Sequence, residues 1–396
     1  MTTLRLGIIG LGRAASSMLP SLAAHPYVRI TAAADPNPQA RARFVEEFGG
    51  ATYEDAAALC AHGPVDAVYI ATPHQCHAGD VVAAAQHGKH AIVEKPMALS
   101  VEECATMTAA AEAAGIVLVV GHTHAFDPVV QRMREIIVSG ELGPVRTITN
   151  LVYTDFLYRP RRPEELDSAR GGGIMYNQVP HQLEIARELD GGPLRTVKAV
   201  TGIWDPSRRT EGAMSAFLEF ADGAVGSLVY SGYDRFDSDE FAFWIGESGG
   251  EKRDHVHGAA RRTLRRAASP EDEARMKAAS GFAGSGVRRT TGTSGHQPHF
   301  GMLLVSCERG DLRPAPDAVL VYDDEGMREI ALPPGRTFPN KDGVIDEFYD
   351  AVVHGKPARH DGRWGTATVE AMLALVRSAR ERREIALSPE VAHGIG

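Results

Sequence analysis

"LRLGIIGLGRAASSMLPSLA" (residues 4–23) holds a short apolar run, a glycine turn and the start of an amphipathic helix. Gly10 and Gly12 fit the first two positions of G-x-G-x-x-G/A, and Ala15 takes the third, where a small side chain lets helix and strand pack closely. Alone, such a match is weak. The next segment strengthens it by its register, because a second apolar run, "RITAAAD" (29–35), ends in Asp35. A carboxylate at that strand end accepts hydrogen bonds from an adenosine ribose diol and repels a 2'-phosphate. Pro36, Asn37 and Pro38 come next, with no arginine before Arg41, so the pattern favours NAD over NADP. The competing reading of Asp35 is a turn or helix-capping acid. On the first reading, Gly10, Leu11, Gly12, Arg13 and Ala14 cradle the dinucleotide and Asp35 holds its ribose.

"VDAVYIATPHQCHAGDVVAAAQHGKHAIVEKP" (65–96) continues the alternation of buried strands with helices, which predicts a parallel sheet covered on both faces. Thr72 and Pro73 end one strand; Glu94, Lys95 and Pro96 end the next. Ligands of doubly wound sheets bind beyond the carboxyl ends of the strands, so Thr72, Pro73, His77, Glu94 and Lys95 join the cofactor-binding set. "GIVLVVGHTHAFDP" (115–128) supplies one more strand and leaves the domain near Gly121. His74, Cys76 and His77, and then His122 with His124, invite a metal reading. Zinc needs three or four converging ligands, and these fall on loops with no matching carboxylate or thiolate pattern. Histidines that hydrogen-bond around the crevice are expected instead, and no metal.

The 396 residues, 43% of them apolar, suffice for more than one core, so two domains are expected. The four cysteines lie far apart with no C-x-x-C pair, which suits core thiols in a reducing compartment. A net charge of -9 gives no global field for nucleic acid, and a small anionic substrate would need a local basic cluster. No apolar run approaches the ~18 residues of a membrane span. The first residues lack a charged n-region, an h-region and a cleavage site, so the chain reads as soluble and cytoplasmic, with no membrane partner.

The basic cluster stands in "YRPRRPEEL" (158–166), where Arg159, Arg161 and Arg162 alternate with Pro160 and Pro163. Guanidinium forks match carboxylate geometry, so these arginines and Tyr158 are candidate substrate contacts; the bland alternative is a solvated loop. Just downstream, "RGGGIMYNQVPHQLE" (170–184) places Asn177 and His181 four apart, with Pro180 before the histidine. Interior proline removes a helical hydrogen bond, so either a helix starts near Gln178 with Asn177 as N-cap, or an earlier helix kinks there. A histidine in a first helical turn feels the positive end of the dipole, which favours the neutral form a base needs.

Together, the Gly10-Leu11-Gly12 turn, "ATPHQCH" (71–77), "EKPMALS" (94–100) and "GGGIMYNQVPHQLE" (171–184) resemble the Gfo/Idh/MocA family of nicotinamide-dependent oxidoreductases. "GHTHAFDP" (121–128), the stretch 150–173, "YSGYDRFDSDEF" (230–241) and "QPHFGMLLVSCERGDLRP" (297–314) are most similar to the family's phthalate 4,5-dihydrodiol dehydrogenases. The resemblance implies an α/β chain: an N-terminal Rossmann dinucleotide-binding domain, residues 1–121, and a C-terminal α+β domain, residues 122–396, with a large, mainly antiparallel open sheet. It also implies a homo-oligomer, dimer or tetramer, with NAD as cofactor. Lys95 matches the catalytic lysine and His181 the catalytic histidine. Asn177 falls where many members carry aspartate, and Ala125 where many carry arginine.

Oxidising a secondary alcohol requires a hydride acceptor and a base for the hydroxyl proton. His181, with an ordinary pKa of ~6.5, suits the base, and the Lys95 ammonium suits the developing alkoxide; either residue could serve as the base. Asn177 can only orient, and His124 is a further candidate substrate contact. The implied reaction is oxidation of phthalate cis-4,5-dihydrodiol to 4,5-dihydroxyphthalate, with the arginine loop clamping the carboxylates. Two alternatives stand: a sugar, polyol or glycoside dehydrogenase, and a nicotinamide-binding sensor without turnover.

The rest of the second domain reads as antiparallel strands separated by turns such as Ala221-Asp222-Gly223. Residues 248–299 shift to Gly, Ser, Thr and Arg and read as an insertion, partly helical around Arg261 to Lys277. Helices at "VIDEFYDAVVHG" (344–355) and "GTATVEAMLALVRSARERRE" (365–384) close the chain.

Overall fold

Six short apolar runs pair in parallel to make the first sheet: β1 Leu4–Ile9, β2 Val28–Ala34, β3 Ala51–Tyr53, β4 Ala67–Ile70, β5 His90–Glu94 and β6 Leu118–Gly121, in the order β3-β2-β1-β4-β5-β6. This computed structural model describes residues 2–252, 257–279, 281–284 and 294–388. Every residue of β4 and β6 is buried. That explains why these strands read as unbroken apolar runs: helices cover both faces of a parallel sheet. The strand order reverses between β1 and β4, so the ends of those strands flank the switch point where such sheets bind ligands.

The second sheet has nine strands: β7 Val145–Tyr153, β8 Leu194–Gly202, β9 Ala213–Phe220, β10 Val225–Ser231, β11 Met302–Cys307, β12 Gly310–Ala315, β13 Ala318–Asp323, β14 Gly326–Ala331 and β15 Ile385–Ala386. Its order is β14-β13-β12-β11-β7-β10-β9-β8-β15. β10 and β7 run parallel, and the other neighbours antiparallel. Burial alternates along β7, β10 and β11, as expected of a sheet with one face on a core. The helix Val179–Asp190 packs against β7 and β10 and buries Leu183, Ile185, Ala186 and Leu189. Each large apolar side chain so buried contributes about 1.5–3 kcal/mol. Polar groups fix its register: Gln182 Nε2 donates to Asn150 Oδ1 at 2.8 Å and to the Val229 carbonyl at 3.1 Å.

The compact units are discontinuous, whereas the sequence reading divided the chain once, near Gly121. Unit 1 comprises residues 1–122, 275–292 and 341–369; unit 2 comprises 123–274, 293–340 and 370–396. Residues 341–369 join the first unit for a definite reason. The Val120 N–H donates to the His360 carbonyl at 2.8 Å, Val119 bridges Asp361, and the Tyr349 hydroxyl donates to the Thr2 carbonyl at 2.7 Å. Within the stretch read as an insertion, helices form at Ala259–Leu264 and Pro270–Ala279; the arginine pair 288–289 lies outside the described residues. Cys60, Cys104 and Cys307 are buried thiols, but Cys76 is exposed, because the turn that carries it lies on the surface.

Candidate active site

The glycine turn leaves β1 with Gly10 at φ +89°, where a Cβ would stand 2.8 Å from the Ala71 carbonyl oxygen. Only glycine tolerates both conditions. The helix Arg13–Ala24 comes next, with Gly12 at its N-cap, no side-chain cap and no acid in its first turn. A Cβ on Gly12 would meet nothing within 4 Å. An uncapped helix start approached through open space suits a pyrophosphate, with Leu11, Arg13 and Ala14 around it. Asp35 stands just after β2; its carboxylate accepts the Leu11 N–H at 2.7 Å and the Asn37 N–H at 2.8 Å. The acid thus shapes the turn, as the competing reading has it, while Asn37 caps the next helix; a carboxylate so placed can also accept ribose hydroxyls. These residues fit the dinucleotide.

Thr72 Oγ1 donates to Asp80 at 2.6 Å, and Pro73 opens the short turn His74–Cys76. Glu94 accepts the Tyr69 hydroxyl at 2.6 Å and the Lys95 N–H at 3.3 Å, which holds the backbone from which Lys95 projects. Burial raises the Glu94 carboxyl above its ordinary range, against the Tyr69 bond and the nearby lysines. His77 departs from the expected cofactor contact. It is fully buried, with Nδ1 3.0 Å from the Pro96 carbonyl and Nε2 3.1 Å from the Thr72 carbonyl. A backbone carbonyl faces each ring nitrogen, and the neutral ring donates to one of them at a time, so His77 sits wedged between the loops that end β4 and β5. Burial lowers its pKa, against those carbonyls.

In the second unit, the helix Gly173–Asn177 stops at Gln178, and the helix Val179–Asp190 starts there with Pro180 in its first turn. Asn177 is therefore not the N-cap. It ends the preceding helix, and its amide donates back to the Gly173 carbonyl at 2.8 Å. His181, in the new first turn, is buried and packs edge to face on His124, with ring centroids 4.7 Å apart at 89°. Phe300 floors both rings, at 4.7 Å from His124 and 5.1 Å from His181. The Phe300 carbonyl accepts from Asn150 Nδ2 at 2.8 Å, so the Asn150–Gln182 contact that seats the helix also seats this ring.

His124 Nδ1 lies 2.8 Å from Asp127 Oδ2, and Asn340 Nδ2 donates to Asp127 Oδ1 at 2.9 Å. Asp127 occupies the N-cap of the helix Pro128–Val138, yet its side chain makes no capping bond and turns to His124 instead. The sequence reading missed Asp127, Phe300 and Asn340. Asp127 had a signal, since H-x-x-D before a helix-opening proline places the carboxylate one turn from the imidazole. Phe300 and Asn340 had none, because only the tertiary fold brings them near.

The arginine loop does not form the expected three-arginine clamp. Arg161 is buried, donates to the Phe156 carbonyl at 3.0 Å, lies over the Phe156 ring and pairs with Glu165 at 3.7 Å. Arg162, half exposed, pairs with Glu164 and Glu165. Asp155 takes Arg159, and Arg161 and Arg162 share Glu165, so nearby carboxylates of the chain already engage all three guanidinium groups. Tyr158 also points elsewhere. Its hydroxyl donates to Asp205 beneath the Arg261 guanidinium, in a cavity of about 590 Å³ that Arg208 and Arg265 also line. Arg159 relates to the histidine cluster through Glu247, whose carboxylate lies within electrostatic reach of His124. It pairs with Asp155 at 2.6 Å and with Glu247 at 3.8 Å. Burial pushes the Glu247 carboxyl up, but Arg159, His124, Lys252 and His299 outweigh it and hold the group below its ordinary range. Among the described residues, no three His, Cys, Asp or Glu side chains are grouped to hold a metal.

Comparison with known proteins agrees with this layout. A family model described as an oxidoreductase family with an NAD-binding Rossmann fold matches residues 4–122, and a GFO/IDH/MocA C-terminal domain matches residues 130–251. The 1-carboxy-3-chloro-3,4-dihydroxycyclohexa-1,5-diene dehydrogenase of Comamonas testosteroni is 38% identical over 384 residues, 95% of each chain. A crystal structure from Bordetella bronchiseptica RB50 is 45% identical, with a TM-score of 0.92 over 97% of this chain and 100% of that one. Levoglucosan dehydrogenase with NADH and levoglucosan shares the fold at 19% identity, with a TM-score of 0.74 over 98% of this chain and 99% of that one. An NAD-binding Rossmann domain followed by this C-terminal domain, with a dehydrogenase relative alike from end to end, places the chain in the GFO/IDH/MocA family of oxidoreductases.

Proposed function

We propose that the protein oxidises a ring-borne cis-diol carrying carboxylate, phthalate cis-4,5-dihydrodiol in the first instance, to the corresponding dihydroxy aromatic acid. The observation that carries this reading is the pair of imidazoles set edge to face and packed against Phe300, with Arg159 paired to Glu247, whose carboxylate lies within electrostatic reach of His124. An aromatic floor suits a flat diene ring, an imidazole takes a hydroxyl proton, and a guanidinium suits a carboxylate. The Comamonas testosteroni relative, by its name, dehydrogenates a carboxylated dihydroxycyclohexadiene, which supports the same class here. NAD rather than NADP is the preferred cofactor, since Asp35 would repel a 2'-phosphate.

NAD, when bound, supplies the hydride acceptor. Asp35 and the glycine turn hold its adenosine and pyrophosphate. The Lys95 ammonium donates to the alcohol oxygen and stabilises charge developing there, and an imidazole of the His181–His124 pair takes the proton. Asn177 orients but carries no proton. Arg159 exchanges part of its pairing with Asp155 and Glu247 for the substrate carboxylate. The resulting keto-diene enolises to the aromatic ring, which draws the reaction forward.

The test is reduction of NAD, followed by absorbance, with the phthalate and benzoate cis-diols, the uncharged benzene cis-diol and a panel of sugars. Turnover favouring the carboxylated diols is expected. Silence with both of these and turnover of a neutral polyol would refute the reading.

A further inference from the structure

We infer that His124, held by Asp127, is a proton acceptor in the same reaction, a role that rests on the dehydrogenase reading above. A general base needs one ring nitrogen with a lone pair toward the substrate, and therefore a proton fixed on the other. Asp127 supplies that fixing. It is fully buried, one oxygen accepts from His124 Nδ1 and the other from Asn340, so its place is set from two sides. The start of the helix Pro128–Val138 favours a carboxylate at this spot. With Nδ1–H donated to Asp127, Nε2 is the acceptor nitrogen. It has no hydrogen-bond partner among the described residues.

The neighbours suit the role. The His181 ring stands edge to face against His124, and the buried Phe300 ring packs against both. Glu247, paired with Arg159, lies within electrostatic reach of His124. Asn177 cannot accept a proton, and its amide is turned to the Gly173 carbonyl. Asp127 is the carboxylate set against the His124 imidazole. In the step itself the substrate O–H bond breaks and its proton comes to rest on His124 Nε2. The oxygen electron pair forms the carbonyl as the carbon gives up hydride to the cofactor. Asp127 acts through His124 and is a positioning residue.

Two readouts test this. The first needs no substrate: nitrogen NMR of the histidine rings, with the His124 signals assigned by their loss in His124→Gln. An unprotonated Nε2 and a protonated Nδ1 are expected, and Asp127→Asn should shift that tautomer balance. A protonated Nε2 in the native protein would overturn the proposal whatever the substrate is. The second uses the best alcohol found in the substrate panel. His124→Gln should lower turnover at least about 100-fold with KM changed less than about threefold, and free imidazole should restore part of the turnover of His124→Ala. Asp127→Asn should lower turnover by up to about 10⁴-fold, the loss seen when an imidazole is left in the wrong tautomer. Turnover of His124→Gln within threefold of the native rate, or a folded His124→Ala that imidazole leaves inert, would also overturn it. A native protein silent on every alcohol would count against the dehydrogenase reading, and the tautomer would still judge the pair.

Discussion

His77 and His124 are both buried and both lie just past strands of the first sheet, yet they are built for opposite purposes. The first has a backbone carbonyl against each ring nitrogen. The second has a carboxylate on Nδ1 and nothing hydrogen-bonded to Nε2 among the described residues. A histidine enclosed by backbone at both ring nitrogens serves packing, whereas one held at a single nitrogen has the other left for chemistry. Burial and residue type do not separate the two cases, but the partners do.

After the loss expected of Asp127→Asn, the next blow to the reactive side of this contrast falls on the groups that meet the alcohol. Lys95→Met and His181→Ala should each lower kcat by about 10²-fold or more, with melting temperatures near that of the native chain. Rates within tenfold of native in both would break the comparison, because the histidine cluster would then be structural as well. His77→Gln should do the reverse, costing about 1–3 kcal/mol of stability through the carbonyls of Thr72 and Pro96 while leaving KM for the alcohol in place.

The pH dependence sharpens the point. Burial lowers the folded pKa of His77, so below about pH 6.5 the unfolded chain binds a proton that the folded chain refuses. Stability therefore falls as pH drops below 6.5 toward the folded pKa. Denaturant titrations from pH 7 to pH 5 should show that slope in the native protein and a shallower one in His77→Gln. Smallest in effect are the arginines. Arg159→Gln should raise KM for carboxylated diols more than for the uncharged one, whereas Arg162→Ala should change stability by no more than about 0.5 kcal/mol and leave KM alone. A carboxylate-dependent rise in KM for Arg162→Ala would restore the loop clamp.

The dinucleotide half of the chain was legible because its signals are local. Gly10, Gly12 and Asp35 act within one strand–turn–helix–strand unit, and sequence spacing there is nearly spatial spacing. The second sheet was legible as a class, from alternating apolar residues between turns. The histidine site was legible only in part. His181 and His124 stood out by type, but Phe300 and Asn340 lie more than 100 residues from either and approach through the β11–β7 pairing and the Asn150–Gln182 contact. The arginine loop misled for a related reason. Three guanidinium groups in one short stretch read as a carboxylate clamp by residue type, but Asp155, Glu164 and Glu165 of the folded chain already pair with them.

The return of residues 341–369 to the first unit bears on how this chain could be divided. β6 is the last strand of the parallel sheet, and the Val120 N–H that faces outward from it is taken by the His360 carbonyl. A fragment ending near Gly121 would keep the glycine turn and Asp35 but expose that strand edge, and bare edges recruit other chains. Such a fragment should aggregate even with every dinucleotide contact in place. A minimal cofactor-binding module has to include the segment that closes the sheet.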